Sequence, residues 1–409
     1  MPPFILWKST IFLYLWWRRQ VWLSKQSYTL LEVRMPKDIL KPIRAMEVVM
    51  EGLWQMYDGP NPREKWFEGK MLQSYSFEII CIGGDIHFFI RIPSGARNLV
   101  EAQVYSQYPE AEIFEAKEYW KYVPQDIPNK DWDLWGWDYK LKKANPIPIR
   151  TYTSFETEHE ALEEKRVDPL ASLLEGMARI GPGEQLWVQI IAQPIRSDVD
   201  IPWVAEGEKL RDKLARRESP PPKQKSLIEM AIDLLIFAKP PEPLKEKEKE
   251  IMPPEMKLTP GEKEVLTAVE KKTSKLGFEC SIRFIYLGTR DVFTRAKVRL
   301  PMGYFANFLT ENMNGFVPIP KSITKSHTIL TWFLDKRRAY LRKRRIFRNY
   351  VLRFSTFFPR PGGTFILNTE ELATIFHFPA QLTAPSALIE RIEAKKKEPP
   401  SDLPVELQE

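Results

Sequence analysis

Apolar and polar residues alternate along the chain in two different rhythms. Residues 28–36 alternate at a period of two, which predicts a strand, whereas apolar residues in 43–57 recur at helical spacing. Residues 71–93 form two apolar runs around a glycine turn at 83–85, which predicts a β-hairpin, and 95–109 predicts a second helix. This β-α-β-β-α order is typical of a ferredoxin-like α+β sandwich, in which helices cover one face of an antiparallel sheet.

The following part of the chain continues the pattern. Apolar and aromatic residues at 118–124 and 132–143 predict more strands. Asp168 as a cap and Pro169 as the first helical residue predict a helix, which a glycine turn separates from a strand ending near residue 195. A shorter charged helix then closes a first α+β domain.

A similar succession begins again at Thr259. Thr259 fits an N-cap, Pro260 the first helical position and Gly277 a helix stop, and a strand follows. The shared order of helix, glycine and strand in 168–195 and in this later segment hints at duplication. We therefore expect a second α+β domain of ferredoxin-like type.

Proline- and charge-rich segments separate the predicted domains. The chain has 35 prolines, and one segment rich in them encloses an apolar island at 226–238, which docks either on a membrane or on a neighbouring domain. The predicted divisions are an N-terminal hydrophobic helix at 1–26, a first domain at 27–217, a linker at 218–258, a second domain at 259–380 and a tail at 381–409.

The N-terminal residues predict a membrane anchor. The apolar run is interrupted by Lys8 and is shorter than the roughly 20 residues that cross a hydrocarbon core, but Trp16 and Trp17 precede Arg18 and Arg19, as at a cytoplasmic membrane edge. The segment either spans the membrane once or lies in its interface; the alternative is a buried amphipathic helix. The predicted anchor residues are Phe4, Ile5, Leu6, Trp7, Ile11, Phe12, Leu13, Leu15, Trp16, Trp17, Arg18 and Arg19. They place the protein at the cell membrane, with its bulk on the cytoplasmic side.

The net charge of +7 is modest, but the basic residues are bunched in a predicted helix at 336–353. Its candidate anion contacts are Lys336, Arg337, Arg338, Arg342, Lys343, Arg344, Arg345 and Arg348. Such a helix binds phosphates of DNA, RNA or anionic lipid, or else it is solvated or paired with an acidic neighbour.

The other candidate residues are better explained by a structural role than by a catalytic or metal-binding one. In "NTEELATIFHFP", Asn368 and Glu371 have the spacing of a capping box, and Glu370 and His377 lie about two turns apart, too far to ligate one ion. The sequence contains no phosphate loop, no dinucleotide fingerprint and no nucleophile elbow. We therefore expect no enzyme, no cofactor and no metal site. The two cysteines are predicted to be buried thiols, and the tryptophans at 132–137 serve either the core or an interface.

Three segments carry a resemblance to a known family: "LEVRMPKD" with "RAMEVVMEGL", "LTPGEKEVLTAVEKKTSKLGFECSIRFIYLG", and "ILNTEELATIFHFP" with "ERIEAKKKEPPSDLP". Together they resemble the region ahead of the motor domain in type IV secretion or conjugative coupling-type ATPases, in the membrane-linked form from uncultivated bacterial lineages. In that family a proline-rich connection leads to a phosphate-loop motor that moves DNA or protein.

The resemblance implies a membrane-anchored, non-catalytic scaffold or accessory region. It would position a phosphate-loop motor ATPase, either encoded separately or lost by truncation, and would form an oligomer with it. The ATP-binding residues of the family have no counterpart in this sequence. The alternative hypothesis is a soluble nucleic-acid-binding protein that uses the basic helix at 336–353.

Overall fold

The computed structural model describes residues 2–36, 41–155, 168–215, 258–327 and 331–379. The strands are β1 Tyr28–Arg34, β2 Tyr75–Ile82, β3 Asp85–Pro93, β4 Glu112–Glu115, β5 Trp132–Leu141, β6 Glu184–Ile195, β7 Gly277–Thr289, β8 Phe316–Pro318 and β9 Phe365–Asn368. The helices are α1 Pro2–Lys25, α2 Ile43–Trp54, α3 Arg97–Gln107, α4 Tyr152–Phe155, α5 Ala171–Met177, α6 Trp203–Leu214, α7 Pro260–Thr273, α8 Arg299–Ala306, α9 Asp335–Val351 and α10 Thr369–Ile375. The predicted α+β class is confirmed.

The first ferredoxin-like unit contains β1 to β4. Its chain order is β1-α2-β2-β3-α3-β4, and its strands lie in the antiparallel order β4-β1-β3-β2. The hairpin between β2 and β3 turns at Gly83 and Gly84, both of which have positive φ. Glycine adopts this backbone region without a steric penalty, so the predicted hairpin forms where the sequence places it.

The second unit repeats this topology with strands β5 to β8. Its chain order is β5-α4-α5-β6-α6-α7-β7-α8-β8, in which α4, α6 and α7 are additions to the order of the first unit, and its strands lie in the order β8-β5-β7-β6, again antiparallel between neighbours. The two units are thus built in the same order. Strand β9 pairs with the first part of β7, alongside the second unit.

The two units share one continuous sheet. The second strand of each unit pairs with that of the other, because β2 runs antiparallel to β6 from Tyr75 opposite Ala192 to Ile82 opposite Gln185. Each unit therefore covers the edge that the other would leave with unpaired backbone groups.

The boundary between the units differs from the predicted domain bounds. The second unit starts at β5, about 130 residues before the predicted second domain, because β5 and β6 both pair with β7. The predicted linker at 218–258 therefore connects two neighbouring strands of one unit. Most of that linker, its apolar island at 226–238 and the predicted tail lie outside the described residues.

Some local predictions also needed correction. Residues 119–122, predicted as strand, form a 3-10 turn, and the helix predicted from Pro169 begins at Ala171. Both cysteines are free and buried, as predicted. Of the three clustered tryptophans, Trp137 is buried in the core, whereas Trp132 and Trp135 are half-buried.

Most of the helices that pack on the sheet cover one face, as predicted, but α9 packs on the other. Residues of α2, α3, α4, α5, α8 and α10 enclose the larger apolar core against the first face. The opposite face has a smaller core, in which Ile346, Phe347 and Tyr350 of α9 pack on Trp187 of β6 and Ile285 of β7. Helix α9 thus packs on the second unit, next to the junction between β2 and β6.

A row of polar side chains crosses this second face. Glu78, Gln189, Arg283 and Asp138 are direct neighbours on β2, β6, β7 and β5, and all four are buried. The Gln189 amide donates to Glu78 Oε1 at 2.9 Å, and Arg283 Nε lies 3.0 Å from Asp138 Oδ1. The row therefore contains charges of both units.

Arg353, just after α9, neutralises the Glu78 end of the row. Its guanidinium donates to Glu78 Oε1 at 3.0 Å and to Glu118 at 2.7 Å, and the Tyr119 hydroxyl donates to Glu78 Oε2 at 2.7 Å. Burial alone would raise the pKa of Glu78, but Arg353 and these hydrogen bonds hold it below its ordinary value. Arg353 has a φ of 53°, and this network holds it in that unfavourable region.

Removal of Arg353 should destabilise the fold strongly. Arg353→Met leaves the Glu78 carboxylate buried without its counter-charge, so we expect a loss of about 3–5 kcal/mol in the free energy of unfolding, measured by urea denaturation. The double change Glu78→Leu and Arg353→Met removes both charges and should recover part of that loss. The control Arg179→Met, which removes an exposed ion pair with Glu175, should change little. An Arg353→Met loss no larger than that of the control would contradict the role of this pair.

Candidate membrane-interface surface and cationic helix

Helix α1 contains all of the predicted anchor residues, and most of its described aromatic side chains are exposed, although Trp22 is half-buried. The exposed large side chains have exposed fractions from 39% to 64%; they are Trp7, Phe12, Leu13, Tyr14, Trp16 and Trp17. Ile11, Leu15, Arg18 and Arg19 are half-buried, and Phe4, Ile5 and Leu6 lie within the first turns of the helix. The first part of the segment is thus mostly exposed, whereas residues 18–23 are half-buried.

A glycine fixes the later part of α1 to the fold. Gly69 follows a π-helical turn at Glu64–Glu68 and has a φ of 75°. A Cβ atom at Gly69 would lie 2.4 Å from the backbone carbon of Arg18, closer than any side chain tolerates. Only glycine permits this approach, so α1 is attached at a defined position.

The π-helical turn adds two aromatic residues that sequence reasoning missed. Trp66 is 44% exposed and Phe67 is 66% exposed, next to the point where α1 packs. The run "EKWFEG" carries the only sequence signal, two adjacent aromatics among charges, and it has no helical or strand periodicity.

All charged residues of α1 are basic. It contains Lys8, Arg18, Arg19 and Lys25 and no acidic residue. Cations beside exposed tryptophans suit the headgroup region of an anionic membrane. Within the described ranges, no helix has both the length and the apolar character needed to cross a bilayer.

Half of the predicted cations of α9 are used inside the protein. Lys343 lies 2.6 Å from Asp133 of β5, and Arg338 pairs with Asp335 one turn earlier. Arg342 donates to the carbonyl oxygens of Ile323 and Lys325 at 3.0 and 2.9 Å, and Arg345 donates to that of Lys321 at 3.0 Å. Arg342 and Arg345 thus hold the 321–325 segment against α9, Lys343 joins α9 to β5, and Arg338 pairs within the helix.

The other four cations, Lys336, Arg337, Arg344 and Arg348, are exposed. Arg337, Arg344 and Arg348 are seven and four residues apart, which places them on one side of the helix. Tyr340 and Leu341 are exposed between them, and Trp332 and Phe333, 72% and 65% exposed, precede the helix. We call this set the outer face of α9.

The acids of "NTEELATIFHFP" are structural. Asn368 and Glu371 form the predicted capping box. Glu371 lies 2.9 Å from Lys272, both fully buried, and Glu370 lies 3.0 Å from Lys271 and 2.7 Å from Lys275. Among the described residues, no group of His, Cys, Asp and Glu has the arrangement to hold a metal ion.

His377 is also held internally. Its Nε2 lies 2.9 Å from Asp168 Oδ1 and its Nδ1 lies 3.1 Å from the carbonyl oxygen of Ala373. The side chain is buried, so the ring joins α10 to the segment that precedes α5.

Comparison with known proteins gives one match. The model of a family described as a domain of unknown function, DUF8128, matches residues 19–385. No curated protein matches the sequence.

The His377–Asp168 pair should make stability depend on pH. Burial by itself would lower the pKa of His377, but the Asp168 carboxylate raises it above the ordinary value of 6.5. Stability from this shift is fully present below pH 6.5 and is lost as pH rises through the higher folded-state pKa. Between about pH 6 and about pH 9, urea denaturation should show a loss of stability in the wild type that His377→Gln lacks. The control His327→Gln changes an exposed histidine and should keep the wild-type profile. A constant difference between wild type and His377→Gln across this range would contradict the assignment.

Proposed function

The chain belongs to the DUF8128 family, a domain of unknown function, and we propose that it is a non-catalytic scaffold held at the membrane by α1. The observation that carries the proposal is the exposed aromatic surface of α1, fixed by Gly69 beside the exposed Trp66 and Phe67. Large apolar side chains exposed together mark surfaces that bind a partner or a membrane.

The composition of this surface supports a lipid interface. Trp16 and Trp17 are amphipathic, with an apolar ring system and an indole N–H, and such side chains concentrate where hydrocarbon meets headgroups. Arg18 and Arg19 follow these tryptophans in the sequence and are half-buried, and their positive charges suit an interface that contains anionic headgroups. In this arrangement α1 lies along the membrane surface, and the sheet lies on the cytoplasmic side of the membrane.

The proposed partner is a motor ATPase that has a phosphate loop, with which the chain forms an oligomer. Support comes from the resemblance of 31–53, 258–288 and 366–404 to the region ahead of such motors. In that role the fused sheet is a passive platform, and the motor acts on DNA or protein. Crosslinking in cells that recovers no phosphate-loop ATPase would contradict this partner.

The membrane role predicts binding of the full chain to vesicles. In co-sedimentation with vesicles of phosphatidylcholine and phosphatidylglycerol, Trp16→Glu with Trp17→Glu should lower the partition coefficient by about tenfold or more, because two inserted rings are lost. The matched control Tyr122→Glu alters an exposed aromatic elsewhere and should bind like wild type.

A second variant tests how α1 is mounted. Gly69→Ala keeps every exposed aromatic residue, but the added methyl group forces α1 away from the position where it packs beside Gly69. The variant should therefore change the strength and the salt dependence of vesicle binding without abolishing it. Wild-type chain that stays in the supernatant, or double-glutamate chain that sediments equally, would contradict the membrane role.

The outer face of α9 supports a second candidate function, binding of nucleic acid. Three arginines on one side of a helix, with exposed aromatic rings beside them, combine phosphate contacts with surfaces on which bases stack. This role uses only half of the cations in the original hypothesis, because the other four have internal partners.

Charge reversal on the outer face distinguishes the second candidate. Arg337→Glu with Arg344→Glu and Arg348→Glu should abolish measurable binding of single-stranded DNA or RNA, and wild-type affinity should fall steeply with salt in fluorescence anisotropy. A control with the same charge change, Lys117→Glu with Lys130→Glu and Arg179→Glu, replaces exposed cations elsewhere. Equal affinity in both triple variants would dismiss the role of α9.

A further inference from the structure

A cleft of about 520 Å³ opens near the edge of the sheet, beside β5, β9 and the segment after β8. Its lining includes Lys140, Lys143, Lys321, Phe357 and Thr364, and none of its lining residues is acidic. The volume is in the range of sites that hold small molecules. The cleft is remote in sequence from α1 and uses none of the outer-face cations of α9.

Two of the three lysines are available to a ligand. Lys140 and Lys321 are exposed, and neither has an ion-pair partner among the residues that the structure describes. The ammonium of Lys143 is already held, because it donates to the carbonyl oxygens of Glu311 and Asn312 at 2.6 and 3.0 Å. Its positive charge nevertheless remains beside the cleft.

The surrounding structure holds the cleft walls in place. Asn314 is fully buried; its Oδ1 accepts from the Lys143 amide at 2.8 Å, and its Nδ2 donates to the Ala144 and Ile147 carbonyl oxygens at 3.1 and 3.0 Å. Across the cleft, Arg345 of α9 donates to the Lys321 carbonyl oxygen. A site with fixed walls loses less conformational entropy when a ligand binds.

The wall of the cleft formed by residues 363–365 depends on the backbone conformation of Gly363. This residue has a φ of 79°, and a Cβ atom there would lie 2.7 Å from the Cβ of Thr356. The close packing keeps the backbone at 363–365 against the loop that carries Phe357. Thr364, which follows, has no side-chain hydrogen-bond partner within the described ranges and is free to donate to a ligand.

We propose that this cleft binds a phosphate group. A phosphate dianion offers acceptors to both free ammonium groups and to the Thr364 hydroxyl, and Leu141, Phe357 and Phe365 give the cleft an apolar floor. The phosphate belongs either to a free small molecule or to a lipid headgroup. The proposal stands apart from the membrane role of α1, because it depends on different residues.

Isothermal titration of the full chain with inorganic pyrophosphate tests the free-ligand source. Lys140→Gln with Lys321→Gln should weaken binding by about tenfold or more, because two charge-assisted contacts are lost. Lys117→Gln with Lys130→Gln removes the same charge from exposed positions elsewhere and should bind like wild type. Thr364→Trp fills the cleft without changing the charge and should also abolish binding, which separates the cavity from general electrostatic attraction.

Vesicles containing phosphatidylinositol phosphate test the lipid source. The experiment uses the Trp16→Glu and Trp17→Glu background, so that failure of the α1 role does not affect the result. Binding of these vesicles that Lys140→Gln with Lys321→Gln removes, with no heat from pyrophosphate, assigns the phosphate to a headgroup. If neither pyrophosphate nor these vesicles bind, or if the cleft and control variants bind alike, the proposal is overturned.

Discussion

Pairing between β2 and β6 is the interaction on which the rest of the structure depends. Each belongs to a different β-α-β-β-α-β unit, and each would otherwise expose a row of unpaired backbone groups. Their union places Glu78 beside Gln189 at the centre of one sheet, away from water. A buried carboxylate there requires a cation, and Arg353 supplies it from the end of α9. Pairing of β2 with β6 therefore also requires that α9, which leads to Arg353, covers the face of the sheet on which Glu78 lies.

The packing of α9 on the sheet divides its cations into those that contact the protein itself and those that are exposed to a partner. The inner side of α9 must pack on the join, so Arg342, Lys343 and Arg345 contact the body of the protein and only the outer face is free for a partner. Helix α1 is positioned differently. It lies outside both cores, and its attachment next to Gly69 leaves its aromatic residues exposed. The proposed functions thus belong to α1 and to the outer face of α9, whose exposed side chains are not part of the two apolar cores.

Local features could be predicted from the sequence because their causes are local. Periodicity gave most helices and strands, and the capping boxes at Thr259 and Asn368 formed where cap and glutamate are three residues apart. The division into units could not be predicted, because it rests on pairing of β5 with β7 across some 150 residues of chain. The same holds for the internal cations of α9: Lys343 meets Asp133, far earlier in the sequence. Trp66 and Phe67 were missed since a π-helical turn has no simple period.

The central claim is that the two units form one cooperative body joined at β2 and β6. Native-state hydrogen exchange measures this most directly, because it gives an opening free energy for each backbone amide. Amides of β2, β6 and β7 should exchange only through a shared global opening, with one free energy and one denaturant dependence. If instead β1 to β4 exchanged through their own opening while β5 to β8 stayed protected, the units would be independent, and pairing of β2 with β6 would not join them into one body.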